Sequence, residues 1–154
     1  MNVKEINYDD FDELLYDIAP TNISKAKYKN CIFRGEDSKK YKLLPTALRE
    51  ECNIPRPSID MFYDPDFSKS IFAQILSEFT LLKKFYKYAN NNGLKVPYSK
   101  LITETYLDDM GSDIIPMLYE KEWIREDLSE LAALAQHYGV ITRLLDWTQD
   151  FMVA

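Results

Sequence analysis

Ala135-Gln136-His137-Tyr138-Gly139-Val140-Ile141-Thr142-Arg143-Leu144-Leu145-Asp146-Trp147-Thr148 is the stretch on which the reading of this chain turns. The only histidine of the protein stands just upstream of a glycine, at the exit of a helical pattern. An arginine, an aspartate and a tryptophan then follow inside an apolar run, Val140–Trp147, which reads as a buried strand. Charged side chains are costly to bury unless they are paired or hydrogen-bonded. The run therefore reads as a polar site inside a core. Ile32-Phe33-Arg34-Gly35-Glu36 repeats the theme, with a strand-like approach and an arginine beside a glycine.

Working outward, the spacing of Phe11, Leu14, Leu15 and Ile18 predicts a helix over Tyr8–Ala19, stopped by Pro20. Cys31–Gly35 reads as a short strand and Tyr41–Leu44 as a second one. A brief helix from Pro45 to Glu51 follows, and Asn53–Asp66, with Pro55, Pro57 and Pro65, reads as an irregular loop. The longest helix is expected over about Phe67–Asn91, with Ile71, Ile75, Phe79, Leu82, Tyr86 and Ala89 as its buried stripe and Gly93 as its stop. Lys95–Asp113 fits either strand or loop, and Ile114–Tyr119 a short helix. Asp127 and Glu130 have the spacing of a capping box, ahead of the stripe Leu128, Leu131, Ala135 and Tyr138. Gln149–Ala154 reads as the first turn of a further helix. Its abrupt apolar finish, Phe151-Met152-Val153-Ala154, leads us to expect a truncated chain or a subdomain that docks on another segment or protein.

The composition narrows the function classes. With 154 residues, 46% hydrophobic and 29% charged, the chain has the balance of one compact globular domain. A net charge of −6 argues against broad, sequence-independent nucleic-acid binding, which needs a basic face. A small anionic ligand remains compatible, because a few converging arginines make a local positive pocket. Cys31 and Cys52 lack metal-ligand spacing, so no metal site is expected and a reduced, cytoplasmic protein is. The acidic N-terminus lacks the order of a signal peptide, and no apolar stretch approaches the ~20 residues of a membrane span.

Phe33-Arg34-Gly35, Leu44-Pro45-Thr46-Ala47-Leu48-Arg49, Gln136-His137-Tyr138-Gly139 and Thr142-Arg143-Leu144-Leu145-Asp146-Trp147-Thr148, in this order, resemble the motifs of the FRG domain family. The resemblance runs from about Cys31 to Ala154, which sets residues 1–30 apart as an N-terminal helical segment before a domain over 31–154. A more distant resemblance is to ADP-ribosyltransferases. Phe33-Arg34-Gly35 is similar to their first catalytic strand, and Leu145–Thr148 followed by Phe151–Ala154 to their second element. Asp146 and Trp147 stand where that element has small residues, and a third, glutamate-bearing strand would lie beyond Ala154. The fold this implies is α+β: a small mixed or antiparallel sheet, containing Cys31–Gly35 and Val140–Trp147, overlaid by several helices in a truncated ADP-ribosyltransferase-like domain.

The resemblance implies an NAD-binding, ADP-ribosyltransferase-like domain of a bacterial or phage effector, toxin or defence protein, with turnover resting on the missing element. A small-molecule nucleotide would be its partner. Arg34 would offer a planar fork to phosphate or ribose, and Gly35 would let the nicotinamide amide approach the backbone. Tyr138, Arg143 and Thr148 would complete the cofactor pocket, with Trp147 as an alternative stacking surface. His137 and Asp146 would act at the oxocarbenium-like transition state. Two blander readings stand beside this one. Arg34 and Asp146 would equally serve as a buried ion pair joining neighbouring strands. The whole chain would equally serve as a non-catalytic interaction module, its polar motifs structural and its apolar end a docking surface. A hydrolase is the weakest reading, since clustered carboxylates and a nucleophile–histidine spacing are both missing.

Overall fold

The computed structural model describes residues 4–18, 28, 30–41, 43–52, 54, 70–105 and 123–153. In order, its elements are α1 (Phe11–Ile18), two single 3-10 turns (Lys39–Tyr41 and Thr46–Leu48), α2 (Ile71–Asn91), α3 (Lys100–Glu104) and α4 (Glu126–His137). They fall into two compact units, Met1–Lys42 with Asp146–Ala154, and Leu43–Leu145. The helix expected at Ile114–Tyr119, most of the proline-rich loop and the start of the long helix before Ser70 lie outside the described residues.

The larger unit is helical because α2 presents apolar residues at helical spacing to two shorter helices. Phe72, Ile75, Leu76, Phe79 and Leu82 pack with Leu101 and Ile102 of α3 and with Leu128, Leu131, Ala132 and Ala135 of α4. Ser70 opens α2 by accepting from the Ala73 amide at 3.1 Å. Ile71, expected in the buried stripe, is 74% exposed. Its neighbour Phe72, about 100° further round the helix, takes the core position instead. Both long helices end as their glycines predict. Gly93 (φ 77°) and Gly139 (φ 81°) adopt left-handed backbone. In each case the glycine amide and the amide after it turn back to the last carbonyls, Leu94 to Ala89 and Val140 to Ala135.

The capping box expected at Asp127 is not formed. Arg125 precedes the first turn of α4, and Asp127 lies within it. Its carboxylate reaches sideways instead, accepting from Ser99 Oγ (3.3 Å) and the Leu101 amide (3.2 Å), and so reinforces the start of α3.

In the smaller unit, Asp10 accepts from the Glu13 amide (2.8 Å) and Glu13 from the Asp9 amide (3.0 Å), a reciprocal cap for α1. Tyr8 and Tyr28 both donate their hydroxyls to Asp17 Oδ2, at 2.6 and 3.1 Å.

The α+β expectation is overturned. Among the described residues there is no strand and no sheet, only an isolated antiparallel bridge between Phe33 and Thr148. Their amides and carbonyls exchange two hydrogen bonds, Phe33 N to Thr148 O at 2.7 Å and Thr148 N to Phe33 O at 2.9 Å. A ladder in this register would next pair Gly35 with Asp146. The Asp146 carbonyl accepts instead from Arg34 Nη1 at 3.2 Å, so a side chain occupies the place of the next rung. Further back along Val140–Trp147, the Val140 amide caps α4, the Leu144 amide donates to Thr142 Oγ1, and the Thr142 carbonyl accepts from Ala47. With these backbone groups committed to a helix cap, a side chain and the Ala47 amide, the segment forms no strand.

Candidate functional site

The Phe33-Arg34-Gly35 triplet opens onto a cavity of about 350 Å³ in the smaller unit. The rest of its wall comes from the apolar face of α1 (Phe11, Leu14, Leu15 and Ile18) and from Phe151 and Met152. Phe33 and Phe151 meet edge to face, ring centroids 6.2 Å apart. The bridge at Phe33 and Thr148 sets this arrangement, because it carries the chain from Thr148 directly into the turn holding Phe151. Asp150 fixes that turn by accepting from the Met152 amide at 2.9 Å.

Among the described residues, Arg34 is the one cation on the wall. Its side chain is only 15% exposed, and Nη2 pairs with Glu36 at 2.9 Å. Nη1 holds the Asp146 carbonyl, and Nε is buried with no hydrogen-bond partner among the described residues. Arg34 therefore meets Asp146 through the main chain, while its ion pair is with Glu36. Gly35 lines the same cavity. Thr148 is placed by its backbone, and its hydroxyl accepts from the Asp150 amide at 3.0 Å.

The other residues singled out by sequence belong to the larger unit. His137 is the last residue of α4, exposed at the end where the helix dipole favours a cation. Its ring stands edge-on to Tyr138, 5.6 Å away, and Tyr138 tilts against Phe85 at 6.0 Å. Arg143 is engaged in the fold, with Nε and Nη2 donating to the two oxygens of Glu78 at 2.7 and 2.8 Å. Trp123 Nε1 (2.6 Å) and Gln74 Nε2 (2.8 Å) donate to the same carboxylate, which is 4% exposed. Gln74 also donates to the Ala47 carbonyl, and Thr142 donates its hydroxyl to Gln136.

Sequence reasoning missed Glu78 altogether. The signal was present: Gln74, Ser77 and Glu78 interrupt an apolar stretch, and a buried acid there requires a cation elsewhere. It also read the apolar faces of α1 and of Phe151-Met152 separately, without joining them across Phe33. Among the described residues, no group of three or more His, Cys, Asp or Glu is placed to hold a metal, and no helix is long and apolar enough to cross a membrane.

Residues 29–154 match the family model described as the FRG domain. No curated protein and no solved structure matches the chain.

Proposed function

The chain belongs to the FRG domain family, and from that premise we propose that it works as a binding module. Its Phe33-Arg34-Gly35 triplet would form one wall of a groove that takes up apolar side chains of a partner protein. The observation that carries this reading is the groove's lining, in which, among the described residues, Arg34 is the single charged side chain and is already matched by Glu36. At about 350 Å³ it stands at the low end of ligand pockets, which run from about 300 to 1,000 Å³. That is room for a few apolar side chains rather than a whole dinucleotide. The commitment of Arg143 to Glu78 supports the same reading, since this motif arginine holds the fold together.

One observation favours a second reading, the binding of NAD as in an ADP-ribosyltransferase-like domain. Arg34 Nε is a buried donor lacking an acceptor among the described residues, which an anionic or carbonyl oxygen in the groove would supply. The two readings separate in a thermal-shift series with NAD, ADP-ribose and nicotinamide, run beside titration of a fluorescent neutral Leu/Gln peptide. A nucleotide at roughly hundredfold excess over its dissociation constant stabilises by about 2.7 kcal/mol. The module reading expects no such shift and saturable peptide binding weakened by Phe11→Ala. A nucleotide shift that Arg34→Lys removes from a folded protein would overturn it in favour of NAD.

A further inference from the structure

Helix α2 runs out through Asn90-Asn91-Asn92-Gly93, and Asn92-Gly93 is the one Asn-Gly pair of the sequence; every other asparagine precedes a larger residue. Both members of the pair are exposed. Asn92 is the C-cap residue, with φ -95° and ψ 12°. Its side-chain Nδ2 donates to the Tyr88 carbonyl at 2.8 Å, and the Gly93 amide donates to the Asn90 carbonyl at 3.1 Å. The Leu94 amide closes the cap on Ala89 at 3.0 Å. A side-chain amide and the backbone nitrogen next to it are thus both tied to the helix end. Gly93 carries no side chain to shield that nitrogen, and an added Cβ there would meet no atom within 4 Å.

We propose that Asn92 is a site of spontaneous deamidation, held in check by the cap of α2. The Gly93 nitrogen gives up its proton to hydroxide and attacks Asn92 Cγ. The Cγ–Nδ2 bond breaks, and ammonia leaves after taking a proton from water. A water molecule then opens the cyclic imide at either carbonyl, leaving aspartate or, with the main chain rerouted through Cβ, isoaspartate. The ring closes only with Cβ and the Gly93 nitrogen on the same side of the Cα–C bond, and ψ 12° keeps them apart. The cap must therefore open first, giving up the hydrogen bonds of Asn92 Nδ2 and Gly93 N. Helix ends open at far lower cost than cores do. Asn90 and Asn91 lie inside the helix and precede asparagines, so the reaction is confined to Asn92. The product undoes the cap. The donor to Tyr88 is gone, and a carboxylate meets the negative end of the helix dipole beside a last turn with no basic residue.

The test incubates the full chain in mildly alkaline buffer, with and without denaturing urea. The tryptic peptide 88–95 is followed by mass spectrometry, and isoaspartate is counted with an isoaspartyl methyltransferase. Asn92 should convert ahead of every other asparagine, into both products, and about tenfold faster in urea, where the cap is lost. Asn92→Asp carries the product's charge without the rerouted chain, and it should speed amide exchange at Gly93 and Leu94 by about threefold. If another asparagine reacts first, the site is overturned, and if only aspartate forms, the imide route is. Equal rates in buffer and urea overturn the restraint by the cap. Unchanged exchange in Asn92→Asp overturns the consequence drawn for the helix end.

Discussion

At the scale of single residues, the carboxylate of Glu78 illustrates how a buried charge is tolerated. Arg143 supplies the opposite charge in a two-point grip, and Trp123 and Gln74 fill further acceptor sites. Removing one member of such a group leaves the others buried without a partner, which costs about 3–5 kcal/mol. Glu78→Gln should therefore lower the unfolding free energy measured in urea by about 3 kcal/mol, the low end of that range, since glutamine keeps the shape. Glu78→Gln combined with Arg143→Met should cost less than Glu78→Gln alone, because no orphaned cation remains. Tyr8 offers a residue-scale prediction in alkali. Its hydroxyl donates to Asp17, and that carboxylate holds the phenol pKa up to about 12. The folded state thus favours protonated Tyr8, and its contribution is complete below about pH 10. That contribution is lost as pH climbs through about 12. Tyrosinate absorbance should show a late-ionising component in wild type that Tyr8→Phe deletes. At Cys52 burial pushes the thiol pKa up, against the pull of Arg49, so iodoacetamide should label it slowly at neutral pH.

At the scale of elements, helix ends were the most legible part of the chain. Gly93 and Gly139 announce their stops in sequence because few other residues accept a positive φ. An added Cβ at Gly139 meets no atom within 4 Å, so Gly139→Ala should cost only the backbone term, about 1 kcal/mol in chemical denaturation. Asp127 was harder to read, since an acid in a first turn suits its own helix and a neighbour's equally well. Its reach to Ser99 and Leu101 means that Asp127→Ala should raise amide exchange at Leu101, outside its own helix, with a loss of about 1 kcal/mol. The strands were misread for a related reason. The apolar run and the β-branched residues of Val140–Trp147 suit a buried strand, whereas a sheet also needs a partner whose hydrogen bonds are available. Here Arg34 Nη1 occupies the acceptor where pairing would have continued.

At the scale of the whole molecule, the sequence brought the first motif and the far end of the second together, and Phe33 and Thr148 do pair. It did not reveal that the chain divides between them. Arg34, Gly35, Asp146 and Thr148 fall in one unit and His137, Tyr138 and Arg143 in the other. Motif order along a chain reports which residues recur together, and contacts alone report which of them pack together. Among the described residues, the apolar cluster around α2 draws on residues 72–144. A chain lacking residues 1–18 should therefore keep the fluorescence of Trp123 in its packed environment and lose the groove.

The hydrogen bond from the Ala47 amide to the Thr142 carbonyl, 3.1 Å long, has a topological consequence. It brings the entrance and the exit of Leu43–Leu145 side by side, so this stretch is a closed excursion from a path that resumes at Asp146. A loop whose ends already touch can change length or content with little entropic penalty at the junction. A protein engineer could thus cut this stretch open elsewhere and rejoin its natural ends with a short link.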